Sequence, residues 1–157
     1  MVWFKTLEEV LRNIHTIYQP TKEEIEIIKK AVPAIWKLKE PKAFQLLQNV
    51  CNDLTNYYKI QPITVKKSKK YAMCYCCRVI YLKKPSLFGF LHEFRHFLQK
   101  DLFIYVFGDL ELDANAYASS IFYKIAPKTF LRAWKSGKIK PLDPMFCPEK
   151  EETPEVI

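Results

Sequence analysis

The stretch Ser86–Lys100, SLFGFLHEFRHFLQK, decides how the rest of the chain is read. It contains His92-Glu93-Phe94-Arg95-His96, an H-E-x-x-H arrangement that makes physical sense only on a helix. At about 100° per residue, His92, Glu93 and His96 share an arc of roughly 100°. Two imidazoles one turn apart can hold one metal ion, and the carboxylate between them can reach a water on that ion. Leu87, Phe90, Leu91, Phe94 and Leu98 fall on the opposite side. Gly89 falls on the histidine side one turn earlier, where a side chain would crowd the metal. The bland alternative is an amphipathic helix with exposed histidines. Helical phase, Gly89 and the aromatic back face favour the metal.

Zinc held by two histidines needs a third protein ligand and an open position for water. The best candidate lies downstream, in Glu111-Leu112-Asp113-Ala114-Asn115. On a helix, Glu111, Asn115 and Phe122 share a narrow arc flanked by Ala114 and Ala118, small residues that permit a close helix approach. Glu111 is the expected ligand. Asn115, one turn on, would orient a histidine through its other ring nitrogen. Asp113 points almost opposite to Glu111 and is expected to be exposed. The competing reading is that Glu111 and Asp109 only favour a helix N-terminus.

Working outward, residues 3–17 repeat apolar positions at helical spacing, and Gln19-Pro20 ends that element. Thr21-Lys-Glu-Glu24 has the capping-box form and opens a second helix through Ile25, Ile28 and Val32, with Pro33 kinking it before Lys37. Pro41 suits the first turn of a third helix over 41–59. The pattern changes at Pro62. Ile63–Lys67 and Tyr71–Leu82 have strand composition, with Ser68–Lys70 as a turn, which predicts a hairpin or short antiparallel sheet. After the histidine helix come an apolar segment, 102–107, a helix over about 110–125 with Asp109 as N-cap, and a short helix over 127–134. The expectation is an α+β domain, residues 1–137, with a helical part (1–60) and a catalytic part (61–137). An irregular, proline-rich and charged tail, 138–157, follows.

At 157 residues, the chain has one domain's length, and 49% hydrophobic residues can furnish a core. The formal charge of +8 permits nucleic acid, acidic protein or anionic lipid as a partner without choosing among them. No apolar run approaches the ~18 residues of a membrane span. Acidic residues stand in MVWFKTLEEVLRNIH where a signal peptide needs an apolar core, so a cytoplasmic location and no membrane partner are expected. Five cysteines, an odd number, do not suggest a secreted disulfide scaffold.

H-E-x-x-H followed by E-x-x-A-N, here Glu111, Ala114 and Asn115 with Tyr117 and Ala118 after them, resembles the gluzincin metallopeptidases. The pattern is most similar to the small ImmA/IrrE-type branch. The resemblance covers roughly residues 63–125. It implies a zinc-dependent peptidase acting on a cytoplasmic regulatory protein, such as a repressor in a viral, plasmid or stress setting. It implies zinc on His92, His96 and Glu111, with Glu93 as general base, and a strand, Arg78–Leu82, whose edge pairs with extended substrate. Phe94-Arg95 stands where the family carries a small or leucine-glycine pair. For the oxyanion donor, Tyr71, Tyr75, Tyr81, Tyr105, Tyr117, Arg95 and Arg132 all stay open.

Other stretches read more plainly. Cys74, Cys76 and Cys77 lack a second cysteine pair at zinc-site spacing and are expected to be small core residues. Cys51 lies roughly where a peptide deformylase has its cysteine ligand, but NVCNDL lacks that family's glycine-containing motif. Cys147 in the tail is a remote candidate for capping the zinc. His15 is expected to pack or to face solvent. Lys66, Lys67, Lys69 and Lys70, with Lys83 and Lys84, would form a basic hairpin end. They would either protect a strand edge or contact nucleic acid, with nearby tyrosines stacking on bases. The rival function is therefore a basic nucleic-acid-binding protein or metal-dependent nuclease of viral or mobile-element origin.

Overall fold

The structure, a computed structural model, describes residues 20–32, 34–104 and 110–138. The expected helix over 3–17, His15, Pro33, Tyr105, Asp109, Cys147 and the tail beyond residue 138 lie outside the described residues.

The fold is α+β. Helix α1 (Lys22–Lys29) starts at Thr21, whose hydroxyl accepts from the Glu24 N–H while the Glu24 side chain answers the Thr21 N–H. Both halves of the capping box are therefore present. The helix stops at Lys29 rather than running on through Val32, and α2 (Ala34–Lys37) follows as a separate turn. Helix α3 (Glu40–Tyr58) carries proline in its first turn and ends on Lys59, which adopts the left-handed conformation at φ 58°.

Strands β1 (Thr64–Lys67), β2 (Ala72–Cys74) and β3 (Val79–Leu82) form one sheet in the order β1-β3-β2. The small sheet was expected, but it is mixed and not wholly antiparallel. Strand β3 pairs parallel to β1 and antiparallel to β2. The residues after β1 carry the chain past β3 to its far side, so Ser68–Lys70 does not close a hairpin. The hairpin lies within Tyr71–Leu82, where Tyr75–Arg78 turns the chain. That turn is closed by the Arg78 N–H on the Tyr75 carbonyl at 3.2 Å, with Arg78 itself at φ 57°. β-propensity marked the run as extended but not its midpoint, because Cys-Tyr-Cys-Cys lacks the glycine or asparagine that usually announces a turn.

The two sheet edges differ. On α3, the Gln48 amide donates to the Ile63 carbonyl at 2.9 Å and accepts from the Val65 N–H at 2.7 Å, occupying the backbone of β1 as another strand would. Among the described residues no strand pairs with the outer edge of β2.

Helix α4 (Leu87–Asp101) is capped by Ser86, whose hydroxyl accepts from the Gly89 N–H. Its back face is buried as the helical phase requires. Phe90, Leu91, Phe94, Phe97 and Leu98 are all fully buried, and each contributes roughly 1.5–3 kcal/mol relative to exposure. Helices α5 (Leu110–Ile125) and α6 (Pro127–Lys135) complete the described chain. Helix α5 packs against α4, α6 and α1. It is buried around most of its circumference, Ala114, Ala116, Tyr117, Ala118 and Ile121 all being inaccessible. None of the described helices is long and apolar enough to cross a membrane.

Candidate metal centre

Helices α4 and α5 bring His92, His96 and Glu111 together, their ligand atoms all within 4.8 Å of one another. The two Glu111 oxygens lie 2.9 Å from His92 Nε2 and 3.0 Å from His96 Nε2. The two Nε2 atoms are 3.3 Å apart. The small residues on α5 do what their size suggested, allowing the backbones to approach closely enough for one carboxylate to face both rings.

The far side of each ring decides what the near side can do. His92 Nδ1 lies 2.7 Å from Asn115 Oδ1, and His96 Nδ1 lies 2.8 Å from Gln99 Oε1. The orientation of Gln99 is fixed, because its Nε2 donates to the Leu110 carbonyl at 2.9 Å and to Asp113 Oδ2 at 2.8 Å. Neither of those partners can donate, so Oε1 must face the histidine. An amide oxygen only accepts, so Nδ1 of each ring carries a hydrogen, and in the neutral ring Nε2 presents its lone pair. In the neutral form two lone pairs and a carboxylate converge, a donor set that a cation can bridge. The residues fit a metal ion on this chemistry.

Asn115 stands where the sequence placed it, and Gln99 was missed. Gln99 lies three residues after His96 on the same helical face, so the spacing that paired the histidines could have found it. Asp113 is a correction. Expected to be exposed, it is fully buried and accepts from Arg95 Nε at 2.7 Å and Nη2 at 3.1 Å. It does point away from Glu111, but α5 has almost no solvent side, so away from Glu111 still means inside. Arg95, itself 2% exposed, needs that carboxylate.

The buried polar chain continues to the N-terminal helices. The Arg95 guanidinium lies 5.2 Å from the centre of the Tyr117 ring. The Tyr117 hydroxyl donates to Glu24 at 2.8 Å, and the Tyr58 hydroxyl donates to the same carboxylate. Glu24 is fully buried. Helices α1 and α3 thus buttress α5 from behind the site, a role that their amphipathic patterns did not reveal.

Glu93 is 8% exposed beside the two rings. Its pKa is held above the usual carboxylate range, chiefly by burial and further by Glu111, while His92 and His96 pull it down. Glu111 has a side chain 67% exposed, so the centre opens toward solvent on that side. Two grooves flank it. One, of about 550 Å³, is bordered by Tyr75, His96, Phe103, Ile104, Leu110 and Glu111. The other, of about 310 Å³, is bordered by Tyr71, Phe88, Gly89, His92, Glu93 and Asn115. Tyr71 and Tyr75 stand immediately before and after β2, so the free strand edge runs from one groove to the other. The expected substrate edge, Arg78–Leu82, is corrected accordingly. Strand β3 is central and paired on both sides, and β2 holds the open edge.

Gly89 is explained differently from the expectation. A Cβ there would meet two Tyr71 ring atoms at 3.0 Å and the Ser86 hydroxyl at 3.4 Å, so the glycine makes room for Tyr71. Among the other oxyanion candidates, Arg95 and Tyr117 are committed to buried partners. Tyr75 donates to Asp101 at 2.6 Å, and Arg132 donates to Thr129. Tyr71 alone of those described borders the groove holding Glu93.

Cys74, Cys76 and Cys77 are not core residues. Cys74 is half-buried, and Cys76 and Cys77 are exposed, because they form the hairpin tip. Cys51 is buried under the sheet, 3.7 Å from the Ile63 carbonyl. Lys66, Lys67, Lys69 and Lys70 are all exposed along and beyond edge strand β1, and Lys67 pairs with Glu40. The chain matches no known family model, no curated protein and no solved structure, so the centre rests on its own geometry.

Proposed function

We propose that the protein is a zinc-dependent peptidase of gluzincin type, with His92, His96 and Glu111 as the metal ligands. The observation that carries the reading is the convergence of two imidazole nitrogens and a carboxylate, with a second, buried carboxylate, Glu93, alongside. Two imidazoles and a carboxylate with an open side are the ligand set of a catalytic zinc site. When bound, zinc supplies a Lewis acid that polarises a carbonyl and brings the pKa of water toward neutrality.

The remaining steps belong to the chain. Glu93 takes the proton of the attacking water as general base and passes it to the leaving amine as the peptide bond breaks. Its raised pKa suits both halves of that task. Asn115 and Gln99 hold the two rings so that Nε2 faces the site throughout. Extended peptide lies across the centre along the free edge of β2, a main-chain pairing mode that leaves side chains to the two grooves. Tyr71, bordering the groove beside Glu93, is the donor assigned to the oxyanion. By the family resemblance, the substrate is a cytoplasmic regulatory protein.

The test is a comparison of Glu93→Gln with the parent chain on a peptide library read by mass spectrometry. The variant is expected to keep its metal and lose cleavage by at least about a hundredfold. Undiminished cleavage in a metal-loaded Glu93→Gln protein overturns the mechanism.

A further inference from the structure

We propose that Cys74 and Cys77 form a redox-active dithiol at the hairpin tip, closing to a disulfide under peroxide. Cys74 ends β2 and Cys77 lies in the Tyr75–Arg78 turn that follows, and the Cys77 N–H donates to Cys74 Sγ at 3.3 Å. That contact sets the Cys74 sulfur against the Cys77 main chain, within reach of a sulfur three bonds from that nitrogen.

The two sulfurs are not equivalent. Hydrogen bonds from the Cys77 thiol and from the Cys77 and Cys76 N–H groups hold the pKa of Cys74 below the usual thiol range. Cys77 is held above it by donating to Cys74 and by the neighbouring sulfur charges. One sulfur that ionises more readily beside one that holds its proton is the division of labour of a reactive pair. Cys76 is exposed on the same turn and has no such hydrogen bond. The tip is accessible, and Tyr75 between the two cysteines borders the groove with His96 and Glu111. Nothing in the hydrolytic reading uses these thiols, and the dithiol does not depend on that reading.

The chemistry balances with hydrogen peroxide as the oxidant. The Cys74 thiolate attacks one peroxide oxygen. An S–O bond forms, the O–O bond breaks and hydroxide leaves, giving a sulfenic acid. The Cys77 thiol then attacks that sulfur. The S–S bond forms, the S–O bond breaks, and the oxygen departs as water with the Cys77 proton. The two sulfurs give up two electrons in all, and the peroxide is reduced to water.

The full-length, metal-loaded chain is treated with a small excess of hydrogen peroxide, alkylated, digested and mapped by mass spectrometry. Alkylatable thiols among Cys74, Cys76 and Cys77 are expected to fall from three to one, with Cys76 the survivor and a thiol reductant restoring the rest. Cys76→Ser is expected to leave the disulfide intact, and Cys74→Ser to abolish it. In the reduced chain, limiting alkylating reagent is expected to label Cys74 ahead of Cys77. A disulfide that uses Cys76 or joins two chains overturns the proposal. So do all three thiols surviving peroxide, a Cys74→Ser chain that still oxidises at the turn, or the reverse labelling order.

Discussion

Replacing Asp113 by alanine separates the buried chain behind the metal centre from a surface carboxylate more sharply than any other single change. Asp113 is fully buried and accepts three hydrogen bonds, two from Arg95 and one from Gln99. Alanine leaves a guanidinium that is 2% exposed without its carboxylate. Breaking a buried ion pair by removing one partner costs about 3–5 kcal/mol. In a domain of this size that lowers the melting temperature by roughly 6–20 °C. Urea denaturation of the metal-free protein, followed by circular dichroism, measures it. The double variant Arg95→Met/Asp113→Leu should recover most of the loss, because it removes the charge together with its partner. An Asp113→Ala loss below about 1 kcal/mol, the range of surface substitutions, would refute the reasoning.

The other expectations are smaller in scope. Gln99→Leu removes the acceptor that fixes the His96 ring, so zinc affinity should fall about 10–100-fold by competition with a chromophoric chelator, while His92 keeps its own partner. Glu93→Gln should raise the melting temperature of the metal-free protein at neutral pH. A pKa raised on folding means that Glu93 favours the folded state only below its unfolded pKa and opposes it above, so neutralising the group removes that opposition. Burial pushes the Cys51 thiol up to about 12, against a small opposing pull from Arg78. A maleimide at pH near 8 should therefore label the hairpin cysteines of the native chain and spare Cys51 until denaturant is added. The stability owed to that protonated thiol is intact below the unfolded pKa, near 9.0, and is lost as the pH climbs toward about 12.

Helical phase was enough to read the front of the centre. His92, His96, Glu111 and Asn115 each carry a signal in local spacing, and α4 and α5 formed where their periodicity placed them. What spacing could not supply was the environment of a helix with almost no exposed side. Asp113 was judged by its angle from Glu111, but its burial is set by α1, α4 and α6, which close around α5 from other parts of the chain. The Glu24–Tyr117–Tyr58 contact joins residues far apart in sequence and has no local signature. The sheet was misread for a related reason. Two extended runs joined by a short turn suggest a hairpin, and only packing against α3, where Gln48 occupies the β1 backbone, shows that β1 belongs on the far side of β3. That reordering bears on the proposed function as well as on topology, because it leaves β2 as the edge beside the grooves.

X-ray absorption at the zinc edge of the loaded full-length chain tests the centre most directly. The proposed function predicts two imidazole nitrogens at about 2.0–2.1 Å and carboxylate oxygen at about 2.0–2.2 Å, with the imidazole signal lost in His92→Ala/His96→Ala. A shell dominated by sulfur at about 2.3 Å, or a spectrum unchanged in that double variant, would contradict the assignment of the metal to His92, His96 and Glu111.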